Sequence, residues 1–272
     1  MQEQQNNPDI RSAYEKAADE GIDPRCIPLP LDVIPPVGEA IPYPDYPEQD
    51  HTVWNILYSR QIASLEGRVC REYIDGTKMM GFSPDKIPAL SDLSKVLNLN
   101  TGWSVGRVPG LIRAEDFFRL LQKRVFPSTD YIRGMEEIDY TPAPDLFHDI
   151  FGHMPLLTNK SFADFYQKFG EAALKAEGEV KLFLERFHWF TVEFGLIRNA
   201  EGLRIYGAGI ISSKNEVAHS LSENVTVLDF DPEKIIRQEY DVWHLQPILF
   251  AVDSFEQLEE GFTGWAKSAG IL

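Results

Sequence analysis

The stretch 141–155, TPAPDLFHDIFGHMP, constrains the fold more than any other, because it sets two histidines five residues apart. In a regular α-helix, residues at that spacing point roughly 140° away from each other. His148 and His153 can therefore face one point only if the helix ends between them. Gly152 and Pro155 are both residue types that stop helices. The stretch predicts a short helix with His148 in its last turn and His153 on the chain just beyond it. Neutral imidazoles suit borderline metals such as Fe(II) and Zn(II), and a carboxylate would complete a three-residue ligand face.

The chain of 272 residues can bury one large core, and 43% apolar with 12% aromatic residues supplies the material. A net charge of −16 opposes binding to nucleic acid or to an anionic membrane. No apolar run is long enough to span a bilayer, and MQEQQNNPDI has neither the basic nor the apolar region of a secretory signal. Two cysteines, Cys26 and Cys70, in a chain this size fit free thiols in a reducing cytoplasm.

Residues 1–22 are polar, with a short helix possible around Ile10–Ala18. Residues 23–47 carry eight of the 18 prolines and cannot be helical; the interleaved apolar residues predict an extended arm lying on the domain. From Asp50, apolar residues from Val53 to Ile74 recur at three- and four-residue steps, as in an amphipathic helix or a broken pair. A short helix over 91–98 closes at Asn100-Thr101-Gly102. WSVGRVPGLI reads as a strand and a loop, 113–124 as a helix with an acidic first turn, and VFPSTDYIR as extended. Helices follow at about Ser161–Ala176, with Ser161 as N-cap, and at about Glu179–Ile197. The latter is apolar nearly all round and so reads as buried. VTVLDF and ILFAV read as strands; DPEKIIRQ, capped by Asp231 with Pro232 in the first turn, and SFEQLEEGFTGWAKSAG read as helices. The fold class is mostly α with a few short β-strands (α+β). One domain spans 1–272, with 1–50 as polar N-terminus and arm and 51–272 as core.

Glu193 sits in the apolar helix between Val192 and Phe194. A charge there needs a partner. Either it is the third metal ligand, or it pairs with Arg198 or Arg186. Two histidines and a glutamate suit a non-heme Fe(II) oxygenase, with zinc hydrolysis as the competing use. The H-E-x-x-H pattern of zinc proteases is absent. Both histidines could instead be satisfied core residues. His51, His219 and His244 read as having no role. Phe147, Phe151, Trp189, Phe190 and Phe194 suggest either an aromatic pocket or plain core. Arg133 is a surface arginine or a bidentate carboxylate binder.

TPAPDLFHDIFGHMPLL, FHWFTVEFGL, YGAGIISS and LQPILFAVDSFEQL, in this order between about His51 and Leu258, resemble the pterin-dependent aromatic amino acid hydroxylases, in particular their short bacterial members. The resemblance implies Fe(II) held by His148, His153 and Glu193. It implies a tetrahydropterin (tetrahydrobiopterin or a bacterial pterin), O2, and hydroxylation of L-phenylalanine to L-tyrosine, with tryptophan or tyrosine as alternative substrates. A non-catalytic metal-binding relative is the remaining reading. Arg133 then takes the substrate carboxylate, and Thr141, Asp145 and Ser212 support the amino acid end. Pro144 and Trp189 line the ring. Val108, Gly110, Ile112 and Phe117 meet the pterin, which Asp149 faces through water. Tyr140 and Tyr240 stand near the site.

The chain departs from the animal pattern at His188, where those members have tyrosine, at Asp149, where they have glutamate, and at Lys214-Asn215. His188 is not expected to be a fourth ligand. With no regulatory or tetramerisation segment in view, a monomer or weak homodimer is expected.

Overall fold

The computed structural model describes residues 23–272. The helix expected around Ile10–Ala18 lies outside the described residues. The arm does not hang free. Leu29 accepts from Arg113 N and donates to Leu111 O, Pro36 O accepts from Arg107 N, and the Asp116 carboxylate accepts from Leu31 N. The prolines exclude α-helix but not short 3-10 turns, which form at Pro24–Cys26 and Gly38–Ala40 against the expectation of no helix; the backbone between them is extended and pairs along 104–113.

Three helices follow: α1 (Glu48–Leu65), α2 (Arg71–Met80) and α3 (Leu90–Thr101). The broken pair is the form taken: α1 ends at Leu65 and α2 starts at Arg71, although apolar residues continue at four-residue steps through Val69 and Tyr73. Gly81 and Gly102 end α2 and α3 with φ of 63° and 73°, a left-handed conformation that glycine adopts without penalty. Strand β1 (Ser104–Arg107) pairs in parallel with β2 (Val125–Ser128), and α4 (Ala114–Gln122) crosses between them.

Helix α5 spans Lys160–Ala173. Its N-cap is Asn159, which accepts from Phe162 N, and not Ser161, whose hydroxyl donates to Glu256. Phe162, Phe165, Tyr166 and Phe169 form its buried stripe at helical spacing. They meet Phe187 of α6 (Glu179–His188) and Phe255 and Phe262 of α10 (Phe255–Ser268). Each buried phenyl ring contributes about 2–3 kcal/mol of apolar burial.

The helix expected to reach Ile197 is shorter. Regular α-helix ends at His188, a wide turn runs over Trp189–Glu193, and Leu196–Asn199 is strand β3. Only Leu184 and Phe187 of α6 are fully buried, so the apolar surroundings belong mainly to the turn beyond it. Strand β3 forms a hairpin with β4 (Gly202–Ile205) and pairs in parallel with β6 (Ile248–Val252), which pairs with β5 (Thr226–Asp229), giving the order β4-β3-β6-β5. Between these strands lie α7 (Ala208–Ser212), α8 (Glu216–His219) and α9 (Pro232–Ile235). Asp231 and Ser254 cap α9 and α10 by accepting from Glu233 N and Gln257 N. The architecture is helical with two small sheets among the described residues. Cys26 and Cys70 are buried, unpaired thiols.

Candidate active site

The chain does not stop between the two histidines; it widens. Residues His148–His153 form one π-helical turn, in which positions five apart come onto the same side. His148 Nε2 and His153 Nε2 stand 3.0 Å apart. Gly152 is therefore not a helix stop. A Cβ there would lie 3.1 Å from Ala208 O and 3.2 Å from Ala208 Cβ, so the missing side chain lets α7 press against the turn. Asp145 fixes the entry to the turn by accepting from His148 N at 3.1 Å.

Glu193 ends a second π-helical turn, closed by Phe194 N donating to Trp189 O at 2.8 Å. Its carboxylate lies 3.3 Å from His153 Nε2 and 3.6 Å from His148 Nε2. The two arginines that might have neutralised it are engaged elsewhere: Arg198 with Asp229, and Arg186 with Ile236 O and Glu239. Burial opposes ionisation of Glu193, but the imidazoles of His153, His148 and His188 outweigh it and hold the carboxyl well below its usual range. Gly207 lets the backbone of 206–209 cross directly over the Glu193 carbonyl; a Cβ there would meet that oxygen at 2.3 Å.

Ser212 decides the protonation of His148. Its hydroxyl donates to Ala208 O at 2.9 Å, so its oxygen accepts from His148 Nδ1–H at 2.8 Å. Nε2 is left with its lone pair aimed toward the other two donors. Burial also pushes the His148 imidazole down to about 4, which keeps it neutral. These residues fit a cation. Two ligands about 2.1 Å from one ion stand about 3.0 Å apart at a right angle and about 3.4 Å apart at the tetrahedral angle. Two nitrogens and one carboxylate suit iron or zinc.

Arg133 does not face the site alone. Its Nε and Nη2 donate to the two oxygens of Asp145 at 2.8 and 2.9 Å, and its backbone N–H donates to the same carboxylate. Burial resists ionisation of Asp145, and the Arg133 guanidinium outweighs it and lowers the carboxyl. Asp145 thus holds Arg133 and the start of the histidine turn together, and Nη1 of Arg133 has no hydrogen bond among the described residues. Thr141 Oγ1 donates to Ala143 O, and Pro144 O accepts from Tyr131. The Trp189 indole stacks on Phe194 at 4.4 Å and on Tyr240 at 4.3 Å, and donates to Gln246 Oε1 at 3.2 Å.

Asp149 is buried and accepts from both Thr129 N and Thr129 Oγ1, at 2.8 and 3.0 Å. Burial pushes its carboxyl up to about 7 despite those bonds. Val108 and Ile112 are buried on the segment paired with the arm, with Gly110 between them, and Phe117 meets His188 edge-on at 6.2 Å. His188 bonds Tyr166 at 3.0 Å and stays 3.9 Å from Glu193. Burial lowers it to about 4. Tyr140 is 58% exposed and donates its backbone N–H to Glu137. Lys214 pairs with Asp139, which also takes Arg60. Thr129 and Gln246 were not singled out in the sequence. A glutamine next to Pro247 at the start of an apolar run was the available signal for the second.

The description biopterin-dependent aromatic amino acid hydroxylase fits residues 36–270 of the chain. A phenylalanine-4-hydroxylase of Pseudomonas aeruginosa is 46% identical over 213 residues, covering 78% of this chain and 81% of that protein. Its counterpart in Ralstonia nicotianae is 45% identical over 234 residues, 84% and 74% of the two chains. The Chromobacterium violaceum phenylalanine hydroxylase, solved with iron(III) and oxidised 7,8-dihydrobiopterin, superposes with a TM-score of 0.81 at 35% identity, over 95% of this chain and 92% of that one. Family fold, matched length and a three-donor face agree, and the chain belongs to the biopterin-dependent aromatic amino acid hydroxylases.

Proposed function

We propose that this protein is a phenylalanine 4-monooxygenase that converts L-phenylalanine to L-tyrosine with O2, Fe(II) and a tetrahydropterin. The observation that carries the reading is the converging face of His148, His153 and Glu193, with the tautomer of His148 set by Ser212, in a chain this similar to phenylalanine hydroxylases. Bound iron supplies O2 activation, with the pterin as electron donor, and the oxidative chemistry is theirs. The chain supplies position. Arg133, held flat by Asp145, offers its remaining N–H groups to the substrate carboxylate. Thr141 and Pro144 stand on the same segment beside the amino acid end and ring. Trp189, clamped between two rings, walls the aromatic pocket. Val108, Gly110, Ile112 and Phe117 face the pterin, and Asp149 faces it through water.

Two buried unpaired thiols suit a reducing cytoplasm, and among the described residues no helix is long and apolar enough to cross a membrane. We read the protein as a monomer or weak homodimer; sedimentation as a stable tetramer would contradict this. The central test is tyrosine formation under air from metal-free protein reloaded separately with Fe(II) and Zn(II), with phenylalanine, tryptophan and tyrosine offered side by side. Hydroxylation of phenylalanine with iron alone supports the reading. No hydroxylated product from any of the three, despite stoichiometric iron, refutes it.

A further inference from the structure

Gln246 is 2% exposed and lies just before β6. Its side chain is fully engaged. Nε2 donates to the carbonyls of Asp241 and His244, both at 2.7 Å, and Oε1 accepts from the Trp189 indole at 3.2 Å. Its backbone carbonyl accepts from His219 Nε2 at 2.9 Å, so α8 anchors it from the other side. One amide thus staples the segment 241–246 onto itself and holds the indole at the same time. Tyr240, the residue just before that stapled segment, stacks on one face of Trp189, and Phe194 stacks at 4.4 Å and 28°. Two rings so near and so parallel cannot share a face, so the indole is sandwiched and its N–H is tied. Gln246 therefore restrains Trp189 directly through the indole N–H, and it closes the loop next to Tyr240, the ring on one of its faces.

We propose that Gln246 is a positioning residue that sets the ring size this site accepts, by fixing the Trp189 indole as a rigid wall. The inference rests on the reading of the site as an aromatic amino acid pocket. Without the Gln246 side-chain amide, the indole N–H is left unpaired and the segment 241–246 is unstapled. The wall then yields to a two-ring substrate and fits a single ring less well. Loss of one buried hydrogen bond corresponds to about a tenfold effect.

The test compares Gln246→Met in wild-type and in Trp189→Phe backgrounds, using iron-loaded protein and a tetrahydropterin. The expected result is a KM for phenylalanine raised about tenfold with kcat within about twofold. The preference for phenylalanine over tryptophan in kcat/KM falls by about tenfold. In the Trp189→Phe background, which has no indole N–H, Gln246→Met leaves that preference unchanged. An unchanged preference in the single variant, or an equal change in both backgrounds, overturns the proposal. A second readout does not depend on turnover or on the Gln246 variant folding. The indole N–H resonance of Trp189, assigned by its loss in Trp189→Phe, exchanges slowly with solvent in the wild-type protein. Fast exchange there overturns the positioning role. If wild-type protein forms no tyrosine but the resonance is protected, the functional reading fails while the restraint on Trp189 stands.

Discussion

Replacing Ser212 with alanine tests whether the site is built to hold a metal. The hydroxyl is the acceptor for His148 Nδ1–H at 2.8 Å, and its own proton is committed to Ala208 O. Alanine removes that acceptor with almost no change of volume. The Nδ1–H is then left unpaired on an imidazole only 15% exposed, a cost of about 1–3 kcal/mol. The alternative is for the proton to move to Nε2, which removes the lone pair from the ligand face. Either outcome weakens metal binding by about 10–100-fold, the range typical for loss of a partner behind a ligating histidine. The assay is anaerobic competition for Fe(II) between metal-free protein and a chelator of known affinity, alongside the melting temperature of the metal-free form. Zn(II) should weaken by a similar factor, because the change acts on the ligand and not on the choice of metal. An Fe(II) Kd within about twofold of wild type, in a folded variant, would refute the tautomer argument.

Three further outcomes are expected. Arg133→Lys loses the paired bonds to Asp145 and leaves that carboxylate buried with one point charge; the KM for phenylalanine should rise at least about tenfold and the melting temperature should fall, both read in one preparation. Asp149, pushed up to about 7, keeps a proton in the folded state that the unfolded chain has lost, so its contribution to stability falls as pH rises from about 4 to about 7. Asparagine has no such dependence, so the melting temperature of metal-free Asp149→Asn relative to wild type should climb between about pH 4 and pH 7 and level off above, as followed by circular dichroism. Gly207→Ala places a Cβ 2.3 Å from the Glu193 carbonyl and 2.5 Å from Gly195 N, both backbone atoms that cannot rotate away. It should cost at least about 1–3 kcal/mol and lower iron content, measured by chemical denaturation and metal analysis.

Much of this protein was legible because the signal was local. Asp231 before Pro232, Gly102 after α3 and the acidic start of α4 each act within a turn of the residue concerned, whereas the cap of α5 fell two residues before the expected Ser161, at Asn159. Ligand chemistry was legible too, since imidazole and carboxylate side chains carry it wherever they stand, and the long ordered motifs pointed to the family. Local rules misjudged the two places where the backbone leaves regular geometry. They required a break between His148 and His153, and they ran α6 on past Glu193. The structure widens the chain at both points instead, because tertiary contacts hold the wide turns: α7 against Gly152, and the 206–209 crossing against Glu193.

The sequence by itself determined which donors exist, that the arm is extended, and that a buried carboxylate at 193 must find a partner. Only the tertiary structure decided which partner. It sent Arg198 to Asp229, set Asp145 behind Arg133, turned Ser212 onto His148, and brought Gln246 to an indole 57 residues away. Hydrogen bonds at that separation leave no periodic trace in a chain. They depend on where whole elements pack, and packing is settled by the shape of the entire core.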